Sequence, residues 1–192
     1  MLISNGERGF LVFSLLVICV FLLSFSSAGW FGDFFDRITG RVISVPVGTG
    51  TGLNGSYYDT KEFTDLKLNR IDPTINFDWR TNAPHPSMGV DTFSIRWEGM
   101  IEPKYTEKYT FYELSNNGAR VYVNNVLLIN DWASHSSREA NGSINLFAGV
   151  KYPIKVEYYE DDNNAVIKLY WSSPSQNKQK FRRHSFILKP RV

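Results

Sequence analysis

The chain has almost no cysteine and almost no net charge. Its one cysteine, Cys19, lies in an apolar N-terminal run, so the remaining residues contain no pair that could form a disulfide. The net charge is only +2, from 21 Lys and Arg against 19 Asp and Glu. The basic residues are spread among the acidic ones, so no basic stripe favours a nucleic-acid ligand.

Helical periodicity is also missing from every long segment, and no nucleophile elbow or other catalytic motif occurs. What the sequence has instead is alternation of apolar and polar residues, which is typical of half-buried strands. Strands are predicted at 57–58, 76–79, 93–101, 109–114, 119–123, 126–129, 143–147, 153–159 and 166–171. Many short strands at close spacing predict an all-β fold, an antiparallel sandwich or barrel. Trp97 and Trp171 alternate with polar neighbours and are predicted to lie in its core.

The first 28 residues are predicted to be a targeting segment. An almost unbroken apolar run at 10–25 is followed by small residues at 26–28, which suit signal peptidase. The run is short for a membrane span of about 20 residues. Apolar residues resume just beyond it, so an uncleaved signal anchor over 10–31 stays open. Either alternative predicts a secreted or cell-surface domain.

Residues 29–51 are predicted to be a linker. Five of its apolar side chains recur at helical spacing, which could form a short amphipathic helix on a membrane surface; they are Trp30, Phe31, Phe34, Phe35 and Ile38. The segment then turns extended and glycine-rich. The folded domain is predicted to occupy residues 52–188.

Strand parity places the loops rich in Asp and Asn at one end of the domain. If each connection reverses the chain, loops 82–91, 115–118, 131–142 and 160–164 lie together, and short turns lie at the other end. Converging oxygen-rich side chains suit a hard cation such as calcium. Asn, Asp and Gly also form turns for purely structural reasons, and composition alone favours that interpretation.

Short segments in order along the chain carry a resemblance to a known family. They are residues 53–58, 76–79, 93–99, 109–111, 118–123, 129–132, 148–154, 157–160 and 169–171. Together they resemble the protective-antigen-fourteen (PA-fourteen) domain, the module of anthrax protective antigen, yeast flocculins and epithelial adhesins. The resemblance covers roughly residues 52–171. It implies a β-sandwich that binds ligands outside the cell, often carbohydrate.

The resemblance also implies where a ligand and a metal ion would sit. In adhesin members calcium is held by an Asp-Asp pair joined by a cis peptide, and that pair falls at Asn116-Asn117 here. An amide oxygen can still bind calcium but brings no negative charge, which weakens the site. Parity adds Asp161 and Asp162 as further ligands. The predicted metal site is therefore Asn116, Asn117, Asp161 and Asp162.

The predicted ligand-binding residues occupy the same loops and are Asn116, Asn117, Asp131, Trp132 and His135. Trp132 could stack on a sugar ring or belong to the core, and the core interpretation is favoured. His135 is a candidate by its position only, since no histidine pair has metal-ligand spacing. The adjacent carboxylates of Asp161 and Asp162 would point apart on an extended backbone. A glycosidase needs two opposed carboxylates, so we expect no enzyme activity.

Two functional hypotheses remain open at this point. In the first, the chain is a lectin-like module that binds a glycan or a cell-surface glycoconjugate, with calcium as an assisting ion. In the second, it is a structural module that binds a protein of the cell envelope and holds neither sugar nor calcium. Contact with a membrane would run through the N-terminal segment if that segment is retained, and a nucleic-acid partner is not expected.

Overall fold

The computed structural model describes residues 50–162, 164–181 and 186–187. The predicted targeting segment at 1–28, and with it the alternative anchor at 10–31, lies outside the described residues. So do nearly the whole predicted linker and its amphipathic helix. Among the residues that are described, no helix is long and apolar enough to cross a membrane.

The described chain is built of strands, as the alternation predicts. In chain order the twelve strands are β1 (Leu53–Tyr58), β2 (Leu66–Asp72), β3 (Asn76–Arg80), β4 (Ser94–Ile101), β5 (Glu107–Ser115), β6 (Ala119–Val123), β7 (Val126–Asp131), β8 (Arg138–Leu146), β9 (Tyr152–Tyr159), β10 (Ala165–Ser173), β11 (Gln176–Lys180) and β12 (Phe186–Ile187). The predicted all-β class is confirmed, and every predicted strand appears, mostly with a longer span.

These strands form two antiparallel sheets. The larger sheet runs β2-β1-β4-β9-β6-β7, with the short β12 beside β4. The smaller sheet runs β11-β10-β5-β8, with β3 beside β10. Because side chains alternate along each strand, one face of each sheet is buried and the other faces outward.

The buried faces share one aromatic core. Trp97 of β4 is fully buried, and Trp171 of β10 is 3% exposed. The Trp171 ring stacks on Phe181 with ring centroids 4.4 Å apart, while Trp97 stacks on Phe77 at 5.8 Å. Both tryptophans therefore lie in the core, as the sequence predicts. Such rings bury much apolar area in a domain without a disulfide.

Four stretches of strand were not predicted: the two-residue β12, and three longer stretches in β2, β11 and β8 that lack a sustained apolar alternation. Strand β2 ends in the inward-facing Asp72, whose carboxylate accepts hydrogen bonds from the Tyr57 hydroxyl (2.6 Å) and the Trp97 indole (2.7 Å). Strand β11 contains only Gln, Asn and Lys. Residues 138–142, predicted as loop, are the first half of β8. They form a strand because they pair in register with β5, where Ser115 lies opposite Arg138.

Candidate functional site

Three of the four loops that parity places at one end meet at Asn117. Its backbone N–H donates to the carbonyl of His135 (2.9 Å). Its side-chain Nδ2 donates to Glu160 Oε1 (2.9 Å), and its Oδ1 accepts from Ser134 Oγ (2.8 Å). Asn117 is 2% exposed and has a positive φ of 66°, which Asn tolerates well. Its amide therefore braces three loops from inside.

The other residues of the predicted metal site do not form a cluster of free carboxylates. Asn116 is half-buried, and its backbone N–H donates to the Val166 carbonyl (3.0 Å). The Asp161 carboxylate pairs with Lys61 Nζ at 2.6 Å. The exposed Asp162 approaches Asn117 through its backbone carbonyl (3.5 Å). Within the described ranges no group of three or more Asp, Glu, His or Cys side chains could hold a metal ion, and no peptide bond is cis.

Asp131 and His135, both predicted to bind ligand, lie side by side. His135 Nε2 lies 3.2 Å from Asp131 Oδ2, and that oxygen also accepts from Arg138 Nε at 2.9 Å. A second contact joins Arg138 Nη2 to Asp131 Oδ1. The hydrogen bonds from Arg138 hold the pKa of the Asp131 carboxyl below its usual range, against the effect of partial burial. The hydrogen bonds between Arg138 and Asp131 join the two ends of the loop that carries Trp132.

Trp132 is half-buried and forms the wall of a cleft with a volume of about 360 Å³. We call this space the Trp132 cleft; its lining residues are Lys61, Glu62, Phe63, Arg120, Trp132, Tyr159 and Asp161. The Trp132 ring meets Tyr159 edge-on, with centroids 4.8 Å apart, and lies nearly parallel to Phe63 at 6.0 Å. The guanidinium carbon of Arg120 lies 3.8 Å from the Trp132 ring centroid. Trp132 is thus neither a core ring nor a bare platform.

The loop between β1 and β2 supplies the other wall of this cleft, and no feature of the sequence had predicted it. Ser94 Oγ holds the loop by donating to the Thr60 carbonyl (2.6 Å) and accepting from the Phe63 N–H (3.2 Å). Phe63 and Asp65 both have positive φ, so the turn is tight. The available signal was a single apolar residue, Phe63, within a polar connection.

A row of charged side chains crosses the outer face of the larger sheet below the cleft. In register, Arg96 of β4 and Arg120 of β6 flank Glu157 of β9. Glu157 is 2% exposed and accepts from Arg96 Nε at 2.9 Å, with Arg120 Nη2 also 2.9 Å away. The Arg96 guanidinium lies 4.4 Å from the Phe63 ring centroid. The row therefore holds both aromatic walls of the cleft in place, because each arginine stacks on one ring.

Two buried carboxyl groups lie beneath the same loops. Burial raises the pKa of Glu113 to about 7, and it raises that of Glu160 to about 7 as well. Glu160 accepts hydrogen bonds from the Tyr158 hydroxyl (2.5 Å) and from Asn117. Neither oxygen of Glu113 has a hydrogen-bond partner among the described residues. Neither residue was assigned a role from the sequence, although Glu113 alternates in step with Tyr109 and Phe111 on the buried face of β5.

The family model described as PA14 domain matches residues 50–182 of this chain. Two curated proteins are similar. The anti-sigma-I factor RsgI3 of Acetivibrio thermocellus is 49% identical over 136 residues, which are 71% of this chain and 21% of that protein. The protective antigen of Bacillus anthracis is 33% identical over 144 residues, 72% of this chain and 18% of that protein. The chain thus spans about a fifth of the length of these relatives.

Solved structures extend the likeness. An anti-sigma factor domain-containing protein aligns with a TM-score of 0.73 at 43% identity, covering 76% of this chain and 50% of that chain. A PA14 sugar-binding domain from an RTX adhesin aligns with a TM-score of 0.63 at 12% identity, covering 73% and 99%. The A domain of epithelial adhesin 9 from Candida glabrata, solved with Galβ1-4GlcNAc, aligns with a TM-score of 0.58 at 13% identity, covering 77% and 97%. The last two show a shared fold only.

Proposed function

The chain belongs to the PA14 domain family, and on that premise we propose that it is a carbohydrate-binding module whose ligand occupies the Trp132 cleft. The adhesin domains of similar fold are described as sugar-binding or as sugar complexes, which supports this class of ligand. The observation that carries the proposal is an aromatic wall next to ion-paired polar groups.

The composition of the cleft suits a sugar. An aromatic ring offers a flat apolar surface to the C–H face of a pyranose, and fixed charged groups bind its hydroxyls with directional hydrogen bonds. Trp132 and Phe63 supply the rings. The ion pair of Lys61 and Asp161, whose side chains are 36% and 37% exposed, supplies both donors and acceptors. Because these groups already hold one another, little ordering is needed when a ligand arrives.

The proposed role is binding without catalysis. A glycosidase mechanism needs one carboxyl group on each side of the scissile bond. The carboxylates that line the cleft are Glu62 and Asp161, and Asp161 is tied to Lys61. Secretion or display at the cell surface is part of the same proposal, in line with the predicted targeting segment and the adhesin-like fold.

A calcium ion at Asn116 and Asn117, which the resemblance implies, stays a prediction, as does the assistance of Asp161 and Asp162, which strand parity suggests. The Asn117 Oδ1 already accepts from Ser134, so a calcium ion there would share that oxygen with Ser134 or displace it. Thermal melts with millimolar calcium and with EDTA test this point. A ligand at a hundredfold excess over its Kd adds about 2.7 kcal/mol to stability, so a tightly held ion would raise the Tm clearly. Equal melting temperatures would refute the metal site.

A second candidate function is binding of a protein partner. It is favoured by the 49% identity to RsgI3, whose name refers to action against a sigma factor, which is itself a protein. The β6–β7 hairpin tip offers a surface for such contact, since Val126 and Leu127 are 49% and 42% exposed. A glycan and a protein partner could also serve one longer protein through different surfaces.

A glycan array probed with the purified protein tests the proposal, followed by calorimetric titration of the best ligand. Trp132→Ala should weaken binding at least about tenfold, since losing a central aromatic costs about 2 kcal/mol at a typical binding hot spot. Trp132→Phe should retain part of the affinity. Tyr112→Ala is the matched control, because Tyr112 lies outward on the smaller sheet under Lys178 (4.2 Å). The proposal fails if no glycan binds, or if Trp132→Ala binds as the wild type does.

A further inference from the structure

A second cleft, with a volume of about 370 Å³, lies on the outer face of the larger sheet. We call it the Tyr122 cleft. Across three adjacent strands Glu98 pairs in register with Lys155, and Lys155 pairs with Tyr122. On each of the three strands this row lies two residues from the row of Arg96, Glu157 and Arg120. Both rows therefore present their side chains to the same face of the sheet.

The two clefts adjoin. Arg120, which lines the Trp132 cleft, and Tyr122, which lines the second, are separated by one residue of β6 and project on the same side. Lys155 bridges the rows, because its Nζ lies 3.4 Å from Glu157 Oε1 and 4.0 Å from the Tyr122 ring centroid. From Tyr159 to Lys155 along β9 the distance is about 13 Å at 3.3 Å per residue. A single sugar ring cannot reach across it.

Both clefts offer the same chemistry. In each, a cation lies over an aromatic ring, with Arg120 3.8 Å from the Trp132 centroid and Lys155 4.0 Å from the Tyr122 centroid. Each also has a carboxylate at its rim, Asp161 in the first and Glu98 in the second. Two similar binding positions along one face of a sheet suit a ligand made of repeated units.

The charges of this face balance. The side chains that line the clefts or lie between them include four cations, Lys61, Arg96, Arg120 and Lys155, and four carboxylates, Glu62, Glu98, Glu157 and Asp161. A face without net charge exerts little pull on a charged polymer, whereas its paired groups can still bind hydroxyls.

We infer that the outer face of the larger sheet binds a neutral linear oligosaccharide that spans the Trp132 and Tyr122 clefts. The module then recognises a stretch within a glycan chain rather than a terminal sugar alone. This inference rests on the proposed function, which requires only that the Trp132 cleft binds a sugar. It adds that the ligand is an oligosaccharide, that this ligand is uncharged, and that the Tyr122 cleft is a second subsite.

Calorimetric titration with size-graded sugars tests the inference. The probes are xylo-, cello- and manno-oligosaccharides from the monosaccharide to the hexasaccharide, with oligogalacturonates as an anionic comparison. For the ladder that binds, affinity should rise about tenfold or more once the chain reaches the second cleft and then level off, because two joined subsites reinforce each other. The anionic ladder should gain no comparable affinity.

Variants separate the two subsites. Tyr122→Ala should lower the affinity for long oligosaccharides to the value seen for short ones, and it should leave the affinity for short ones unchanged. Trp132→Ala should lower the affinity for both. Tyr122→Leu keeps apolar bulk on β6, so a loss shared by both Tyr122 variants reports the missing ring rather than poor folding. Tyr112→Ala on the other sheet serves again as control.

The outcomes distinguish this inference from the function on which it rests. Trp132-dependent binding that is independent of chain length, or unchanged in Tyr122→Ala, would overturn the inference and leave the proposed function intact. Preferential binding of oligogalacturonates would overturn the neutral character of the ligand. If none of these ladders and no glycan on the array binds, both are refuted.

Discussion

Glu113 offers the sharpest test of the energetics, because a single carboxyl group is held in the core without a partner. It faces inward on β5 and is fully buried. The nearby hydroxyl of Ser115 donates to the Asn117 carbonyl instead (2.9 Å). Burial, with smaller contributions from the negative charges of Asp131 and Glu139, raises the pKa of Glu113 to about 7. The neutral acid is therefore the form that suits the folded state.

The direction of the pH effect follows from this shift. The folded-state pKa is about 7, above the ordinary value of 4.5 that the unfolded chain should show. The protonated form stabilises the fold fully below pH 4.5, and this stability is lost as the pH rises through 7. A difference of about 2.5 pKa units, at about 1.4 kcal/mol each, corresponds to about 3 kcal/mol. Ionised Glu113 should thus destabilise the protein by about 3 kcal/mol at pH 8.

The substitution Glu113→Gln replaces the acid with a neutral group of the same shape. We expect urea unfolding at pH 8 to show the variant more stable than the wild type by up to about 3 kcal/mol, with the gain fading towards pH 5. The variant should keep some pH dependence of its own, because burial also raises the pKa of Glu160 to about 7. The difference between the two proteins at each pH isolates Glu113.

A surface carboxylate provides the control. Asp78→Asn removes an exposed group that contacts Lys168 Nζ (3.3 Å) and is remote from Glu113, so its profile should follow that of the wild type. The reasoning is refuted if the Glu113→Gln and wild-type curves stay parallel from pH 5 to pH 8. It is also refuted if wild-type stability increases over that range.

Two further predictions concern the fold around the site. Gly118→Ala would place a methyl group inside the Tyr159 ring, so we expect a loss of about 1–3 kcal/mol, seen as a lower Tm; an unchanged Tm would contradict this packing. Asp72→Ala would leave the donors of Tyr57 and Trp97 unpaired in the core and should cost about 3 kcal/mol or more in urea unfolding, whereas Asp72→Asn should cost less. Equal losses of stability in the two Asp72 variants would show that the negative charge at position 72, and not its hydrogen-bond acceptor, stabilises the fold.

The sequence predicted the sandwich well because its strands obey a local rule. Strands β4, β6, β9 and β10 alternate clearly, and each was placed to within two residues at either end. Strands β2 and β11 were missed because they are held by pairing with a neighbour and not by their own apolar pattern. The alternation of apolar and polar residues can be read within one segment, whereas the pairing of two strands depends on residues that are far apart in the sequence.

The candidate site, too, was predictable from the sequence only in part. Parity correctly brought the loops around Asn117 together, since it depends only on how many times the chain reverses. It could not show that Phe63 would fold over the sheet, because that position depends on Ser94, which binds the loop from another strand. It also could not show that the Asp161 carboxylate is occupied by Lys61. Such contacts decide which side chains remain open to a ligand.

The contacts of Asn117 give a physical reason for an amide at this position. Its Nδ2 donates to the buried Glu160, while its Oδ1 accepts from Ser134. An aspartate here could accept from Ser134 but could not donate to Glu160, and two buried carboxyl groups in contact would have to share a proton. Without a bound cation, an aspartate at position 117 would therefore be disfavoured beside Glu160 at neutral pH. Asn117 and Glu160 form one hydrogen-bonded unit, in which the amide supplies the donor that the buried carboxyl group accepts from.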